Sequence, residues 1–163
     1  MKSPPELVAT FRSHGLKVTP QRLAVFRALD GNRSHPSAES VHAAVVAELP
    51  TVSLRTVYSV LGELAELGEI LQFDLGTGSS RFDPNLDPHH HLVCERCGSV
   101  YDVHVDHPGV RPTSASAEGF RITGTEIVFR GLCATCVDAP TGGSHQRASS
   151  HPSHHPSTPP ISS

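Results

Sequence analysis

The sequence predicts an α+β fold. Four segments with helical apolar spacing and helix-start signals fill the first 68 residues, and short strand-like runs bounded by Gly, Pro and Asp follow them. Two Cys-x-x-Cys pairs lie in the strand-rich part, where four cysteines among 163 residues read as metal ligands rather than disulfides if the compartment is reducing. A chain of this length holds one ordinary domain or two small ones with modest cores.

Pro4 and Pro5 open a first helix that ends near Gly15. Thr19 followed by Pro20 is an N-cap with proline at the first helical position, and that helix runs through Leu23, Val25, Phe26 and Leu29 to Gly31. Ser37 caps a third helix with Val41, Ala44, Val45 and Leu49 at core spacing. Ser53 caps a fourth, whose buried stripe is Val57, Val60, Leu61, Leu64 and Leu67 and whose stop is Gly68. EILQFDL, a GTGSS turn and RFD then form a two-stranded wing. Three helices, a capped fourth and a hairpin form a winged helix-turn-helix pattern, in which the helix before the wing lies in the major groove of double-stranded DNA. Ser53, Arg55, Thr56, Tyr58 and Ser59 stay free of its buried stripe, and they suit phosphates and base edges.

Charge agrees without proving it. The net charge is −3, yet residues 1–60 carry seven Lys/Arg against four Asp/Glu, while residues 61–136 carry five against eleven. Any phosphate-binding face therefore belongs to the first third, although a solvated surface without a partner explains the charge equally well. No run approaches a membrane span and the N-terminus has no signal-peptide pattern, so a cytoplasmic protein with no membrane partner is expected.

Cys94-Glu95-Arg96-Cys97 and Cys133-Ala134-Thr135-Cys136 each sit at a strand end with a turn, and neither clearly opens a helix. Two such knuckles complete a closed tetrahedral thiolate shell, the preference of structural Zn²⁺; a disulfide, a thiol switch and an iron centre are the alternatives. The histidines of HHHLVCERC are then left over. His89 and His91 alternate along a strand onto one face, and Asp102 on the returning strand can reach that face, which makes a harder, more open site for Fe(II), Mn(II) or Zn(II). The plain alternative is a polar strand edge. After Cys136 the chain turns to Ser, Pro, Gly and His, and residues 137–163 read as a disordered tail. His145, His151, His154 and His155 could collect transition-metal ions there, though a low-complexity extension is the simpler reading.

LKVTPQR, the SHPSAESV segment with His35, SLRTVYSVLGELAELG, RFDP with Asp83, HHHLVCERCGSVYD and GLCATC together resemble the ferric uptake regulator superfamily, over residues 7–136. The resemblance implies a winged-helix DNA-binding domain at 1–84 and an α/β dimerisation domain with a four-cysteine zinc site at 85–136. It also implies a homodimer that binds palindromic operators when a regulatory metal, Fe²⁺ or Mn²⁺, is present. Carried over, the regulatory ligands are His35, Asp83, His89, His91 and Asp102, and Lys17 and Arg22 join Ser53, Arg55, Thr56 and Tyr58 as DNA-binding residues. Asp rather than Glu at 102 is most like the peroxide-responsive branch, in which peroxide cleaved at the iron oxidises a ligand histidine. Pro88 and Thr125 stand where a further family metal site has histidines, so that site is expected to be absent. Ser59 replaces an arginine that often follows the recognition tyrosine, and Pro108, Gly109 and Pro112 predict a short or broken helix over 106–119. Three functions follow: a peroxide-responsive repressor of oxidative-stress genes, an iron- or other metal-responsive repressor without peroxide chemistry, and a zinc-dependent enzyme.

Overall fold

The computed structural model describes residues 1–76, 78–105 and 118–139. Four helices come first: α1 (Pro4–Ser13), α2 (Pro20–Leu29), α3 (Ala38–Glu48) and α4 (Leu54–Glu66). Their starts follow from side-chain capping of backbone N–H groups that lack helical partners. Ser3 and Glu6 form a capping box on α1. Thr19 Oγ1 accepts from Arg22 N at 3.3 Å, Ser37 Oγ from Ser40 N at 3.2 Å and Ser53 Oγ from Thr56 N at 3.1 Å. Gly15, Gly31 and Gly68 stop helices with φ of 72°, 67° and 69°, a conformation that costs glycine least.

The main core lies among these helices: Leu7 and Phe11 of α1, Val25, Phe26 and Leu29 of α2, Val41 and Val45 of α3, and Val57, Val60, Leu61 and Leu64 of α4. Leu67 is only partly buried. Ala44, expected in the core, is exposed. At 100° per residue the buried face of α3, running through Ala38, Val41, Val45 and Leu49, is centred about 105° from position 44.

The wing is an antiparallel pair, β1 (Leu71–Phe73) and β2 (Arg81–Asp83), with Gln72 opposite Phe82. Phe82 N donates to Pro36 O at 3.0 Å, which fixes the wing against the α2–α3 connection that carries His35. A second sheet has β3 (His90–Cys94) in the centre, β4 (Val100–Val103) antiparallel on one side and β5 (Val128–Gly131) parallel on the other. A one-turn helix, α5 (Ala134–Val137), follows. It takes in Val137, where the tail was expected to begin; the rest of that tail from residue 140, and all of the expected broken helix except Glu118 and Gly119, lie outside the described residues.

The second core is small, and the wing side helps to build it. Leu75 is buried with Val93 and Val100, and Phe73 packs alongside. Arg130 Nη2 donates to Leu75 O at 2.9 Å and Arg81 Nη2 to Gly98 O at 2.8 Å, so each half grips a backbone carbonyl of the other. Among the described residues no helix is long and apolar enough to cross a membrane.

The helical core makes one direct test available. Phe26 is fully buried and meets Phe11 edge-on at 4.9 Å between ring centres. Phe26→Ala should lower stability by about 3–5 kcal/mol in denaturant unfolding followed by helical circular dichroism. A loss under about 1 kcal/mol would refute this placement of the core.

Candidate metal centre

Five side chains from both halves converge. His35 comes from the α2–α3 connection, Asp83 from the end of β2, His89 from just before β3, His91 from within it, and Asp102 from β4, directly opposite His91 in the ladder. Their ligand atoms all lie within 4.8 Å of one another. His35 Nε2 is 2.7 Å from Asp102 Oδ1 and 3.5 Å from Asp83 Oδ2. His89 Nε2 is 2.9 Å from Asp83 Oδ2, and 3.1 Å from His91 Nε2. A shell with bonds of about 2.1 Å has donor–donor edges of roughly 3.0–4.2 Å; the 3.1 and 3.5 Å pairs fall within that range and the 2.7 and 2.9 Å pairs just below it.

The atoms point at a common centre rather than at each other. His35 Nε2, Asp83 Oδ2 and Asp102 Oδ1 are buried without hydrogen-bond partners despite their closeness. Groups left like this cost about 1–3 kcal/mol each, a cost that a bound cation would remove. The backbone accepts strain here too: His35 has φ of 48°, left-handed and immediately before Pro36. Asp102 is the outermost donor, its side chain 22% exposed, whereas His35 and Asp83 are at 0% and 1%.

Outer partners hold the donors in position. His89 Nδ1 bonds Asp87 O at 2.7 Å, His91 Nδ1 bonds Glu126 Oε1 at 3.0 Å, and Asn85 gives N to Asp83 Oδ1 at 2.8 Å and Nδ2 to Asp102 Oδ2 at 2.9 Å. Burial holds His91 below its ordinary pKa against the pull of Glu126, which favours the neutral ring a metal needs. Burial opposes charge at His35 as well, but Asp83 and then Asp102 outweigh it and raise its pKa. Asp83 is the other side of that attraction: burial works against its charge, yet His35 and the Asn85 N–H bring its pKa down. His90 points elsewhere, its Nδ1 accepting from Ile127 N at 3.3 Å.

The four cysteines form a second cluster, again within 4.8 Å and without a disulfide. Cys97 Sγ and Cys133 Sγ are 3.8 Å apart. A tetrahedron with Zn–S bonds of about 2.3 Å has S···S edges of about 3.8 Å. Backbone N–H groups of Cys133 and Cys97 bring the Cys94 thiol down to about 6, while burial and the neighbouring thiols push Cys136 up to about 12. Four thiolates cannot share this space without a cation. The second pair does open a helix, contrary to expectation: Cys133 caps α5, and its carbonyl accepts from Cys136 N at 2.8 Å.

A fold with both clusters narrows the choice of relatives sharply. The family model described as the ferric uptake regulator family matches residues 13–130. The chain belongs to the ferric uptake regulator family. The peroxide-responsive repressor PerR of Staphylococcus epidermidis is 33% identical over 134 residues, 82% of this chain and 89% of that protein. The ferric uptake regulator of Vibrio cholerae is 26% identical with a TM-score of 0.61, covering 78% of this chain and 99% of that one. The Campylobacter jejuni peroxide stress regulator is 25% identical with a TM-score of 0.55, covering 80% and 98%. Membership makes this ferric uptake regulator homologue a metal-responsive repressor that binds DNA as a dimer, and it sets aside the zinc-dependent enzyme.

The DNA-facing candidates of this family member are less uniform. Lys17, Ser53, Arg55 and Tyr58 are exposed, and Thr56 is half-buried. Ser53 and Thr56 are engaged in the α4 cap, and Tyr58 Oη donates to Glu39 Oε1 at 2.7 Å. Arg22 is engaged within the protein: it donates to Glu63 Oε1 at 2.6 Å and to the Lys17 carbonyl, and it covers the Phe11 ring at 5.3 Å. With its side chain 16% exposed it braces α2 against α4 instead of reaching outward. Asn85, Glu126 and Glu39 were not singled out from sequence, because isolated polar residues in loops and helix starts carry no spacing signal.

Arg22→Ala should therefore cost about 1–2 kcal/mol of folding stability, measured by thermal unfolding of the DNA-free protein. Unchanged stability combined with lost DNA affinity would restore Arg22 as a contact residue.

Proposed function

We propose that the chain is a peroxide-responsive repressor, with a DNA-binding part at 1–84 and a dimerisation part at 85–136. His35, Asp83, His89, His91 and Asp102 hold the regulatory Fe²⁺ or Mn²⁺; Cys94, Cys97, Cys133 and Cys136 hold structural Zn²⁺. The observation that carries the reading is the five-donor cluster with an aspartate at 102, and the similarity to a protein named as a peroxide-responsive repressor supports it.

His35 and Asp83 belong to the first part, and His89, His91 and Asp102 to the second. A cation needing all five stabilises the one arrangement of the halves in which they meet, and so favours DNA binding by its differential affinity. A hundredfold change in operator affinity needs about 2.7 kcal/mol of such coupling, within reach of losing one or two ligands. Lys17, Arg55, Thr56 and Tyr58 face a palindromic operator. The exposed row Tyr101, Leu92 and Phe129, cross-strand neighbours on the open face of the second sheet, supplies the homodimer contact.

Fe(II), when bound, would lend the first electron for splitting peroxide beside its ligands and regain it from the ring as the ring is oxidised, so that the ring is the net two-electron donor. His35 and His89 present ring carbons there. A C–H bond of one ring becomes a C–O bond, the peroxide O–O bond breaks, and the other oxygen leaves as water. The altered ring is a poorer base, the tie between the halves weakens and DNA is released, with every cysteine unchanged.

Peptide mass mapping after stoichiometric peroxide should find one added oxygen on peptides containing His35 or His89 in the Fe(II) protein and none in the Mn(II) protein. DNA release that tracks cysteine oxidation instead would make the chain a thiol switch, and release on metal removal alone would make it a plain metal-responsive repressor. Cys97→Ser should lose zinc together with the dimer, read by metal analysis and sedimentation. A zinc-free dimer of native stability would sink the structural-zinc assignment.

A further inference from the structure

We propose that Glu126 is a positioning residue of the regulatory centre, which orients and strengthens His91 through the nitrogen facing away from the other donors. The proposal rests on reading His91 as a ligand. Glu126 Oε1 lies 3.0 Å from His91 Nδ1. A carboxylate oxygen only accepts, so Nδ1 carries the hydrogen and Nε2 is left with the lone pair that faces Asp83, His89 and His35.

The backbone delivers Glu126 to this position. His91 N donates to Ile127 O at 3.1 Å and Ile127 N donates to His90 Nδ1 at 3.3 Å, so the residue after Glu126 is clamped to β3 from both sides. The partner of the neighbouring ligand differs in kind. His89 uses Asp87 O, a neutral backbone carbonyl, at 2.7 Å. Two histidines that turn the same nitrogen, Nε2, toward the centre therefore differ in strength, because an anionic acceptor makes the opposite ring nitrogen more basic than a neutral one does.

Charge adds to the effect. Asp83 and Asp102 already balance a divalent cation, and Glu126 places a third carboxylate one ring further out. It stands in the wall of a cavity of about 290 Å³ that also reaches Phe73, Leu86, Pro88, His89 and His91. With its side chain 50% exposed, this carboxylate stays in contact with water while the ring it holds is buried. Glu126 thus sets metal affinity from outside the shell.

The test uses the full-length zinc-loaded dimer and Mn(II) alone as the probe. Glu126→Ala should weaken Mn(II) binding about 10- to 100-fold in a chelator competition, and Glu126→Gln, which keeps an acceptor but no charge, should fall between it and the wild type. Nitrogen NMR of the histidines in the protein without Mn(II) should show the His91 hydrogen fixed on Nδ1 in the wild type and the Gln variant, and shared between both nitrogens in the Ala variant. Unaltered Mn(II) affinity in both variants overturns the proposal. Equal losses in both, accompanied by lower zinc content or melting temperature, also overturn it, because they mark a contact that matters only for folding. His91→Ala run in parallel separates the two readings: if it too binds Mn(II) normally, it is the ligand assignment that has failed.

Discussion

The arrangement of this protein turns on buried donors that cannot satisfy one another. His35, Asp83, His89, His91 and Asp102 crowd their ligand atoms together, yet three of those atoms are left without a hydrogen bond. Polar atoms buried this way are normally eliminated or paired. Their persistence here means the fold holds them for something else, and a divalent cation is the one occupant that neutralises two carboxylates while accepting three nitrogen lone pairs. Because the donors come from both halves, the proposed regulatory role makes filling the centre and fixing the relative position of the halves a single event.

Strand β3 makes the two metal clusters neighbours without merging them. His91 near its start faces the five-donor centre, while Leu92 and Cys94 alternate onto the opposite face, Leu92 exposed there and Cys94 in the thiol cluster. The period of two along a strand separates these duties. Hard and soft chemistry divide in the same way, with nitrogen and oxygen donors where exchange is wanted and four sulfurs where permanence is wanted. The thiol end is also tied to the wing, since Arg81, two residues before Asp83, reaches the carbonyl of Gly98 in the first knuckle.

The wing does more than the hairpin pattern suggests. Phe73 packs against His91 with the rings tilted by 45° and 4.6 Å between their centres, and Leu75 joins the core of the second half. The β1–β2 hairpin is thus where the DNA-binding part rests on the rest of the molecule, and Asp83 at its end carries that contact into the metal centre. Arg22 and Tyr58 show a complementary economy near α4, where one braces helices through Glu63 and the other donates to Glu39.

Much was legible in the sequence because it depends on local rules. Ser, Thr and Pro at helix starts, glycine at helix ends, apolar spacing of 3.6 and the Cys-x-x-Cys knuckles act within a few residues, so they marked the helices, the wing and the four-sulfur cluster directly. His89 and His91 shared a face for the same reason, with Asp102 in reach on the returning strand, while His35 and Asp83 were gathered only through resemblance to a family. Spacing along the chain could not reveal the left-handed backbone that turns His35 inward, the carboxylate of Glu126 behind His91 or the inward commitment of Arg22. Each of these is decided by what lies across a packed interface from a residue distant in sequence: Pro36 against Phe82, Ile127 against His91, Glu63 against Arg22. Local sequence set the elements and the metal-binding chemistry, and tertiary packing decided which donors meet and which partners tune them, because burial and hydrogen-bond geometry exist only once the chain has closed on itself.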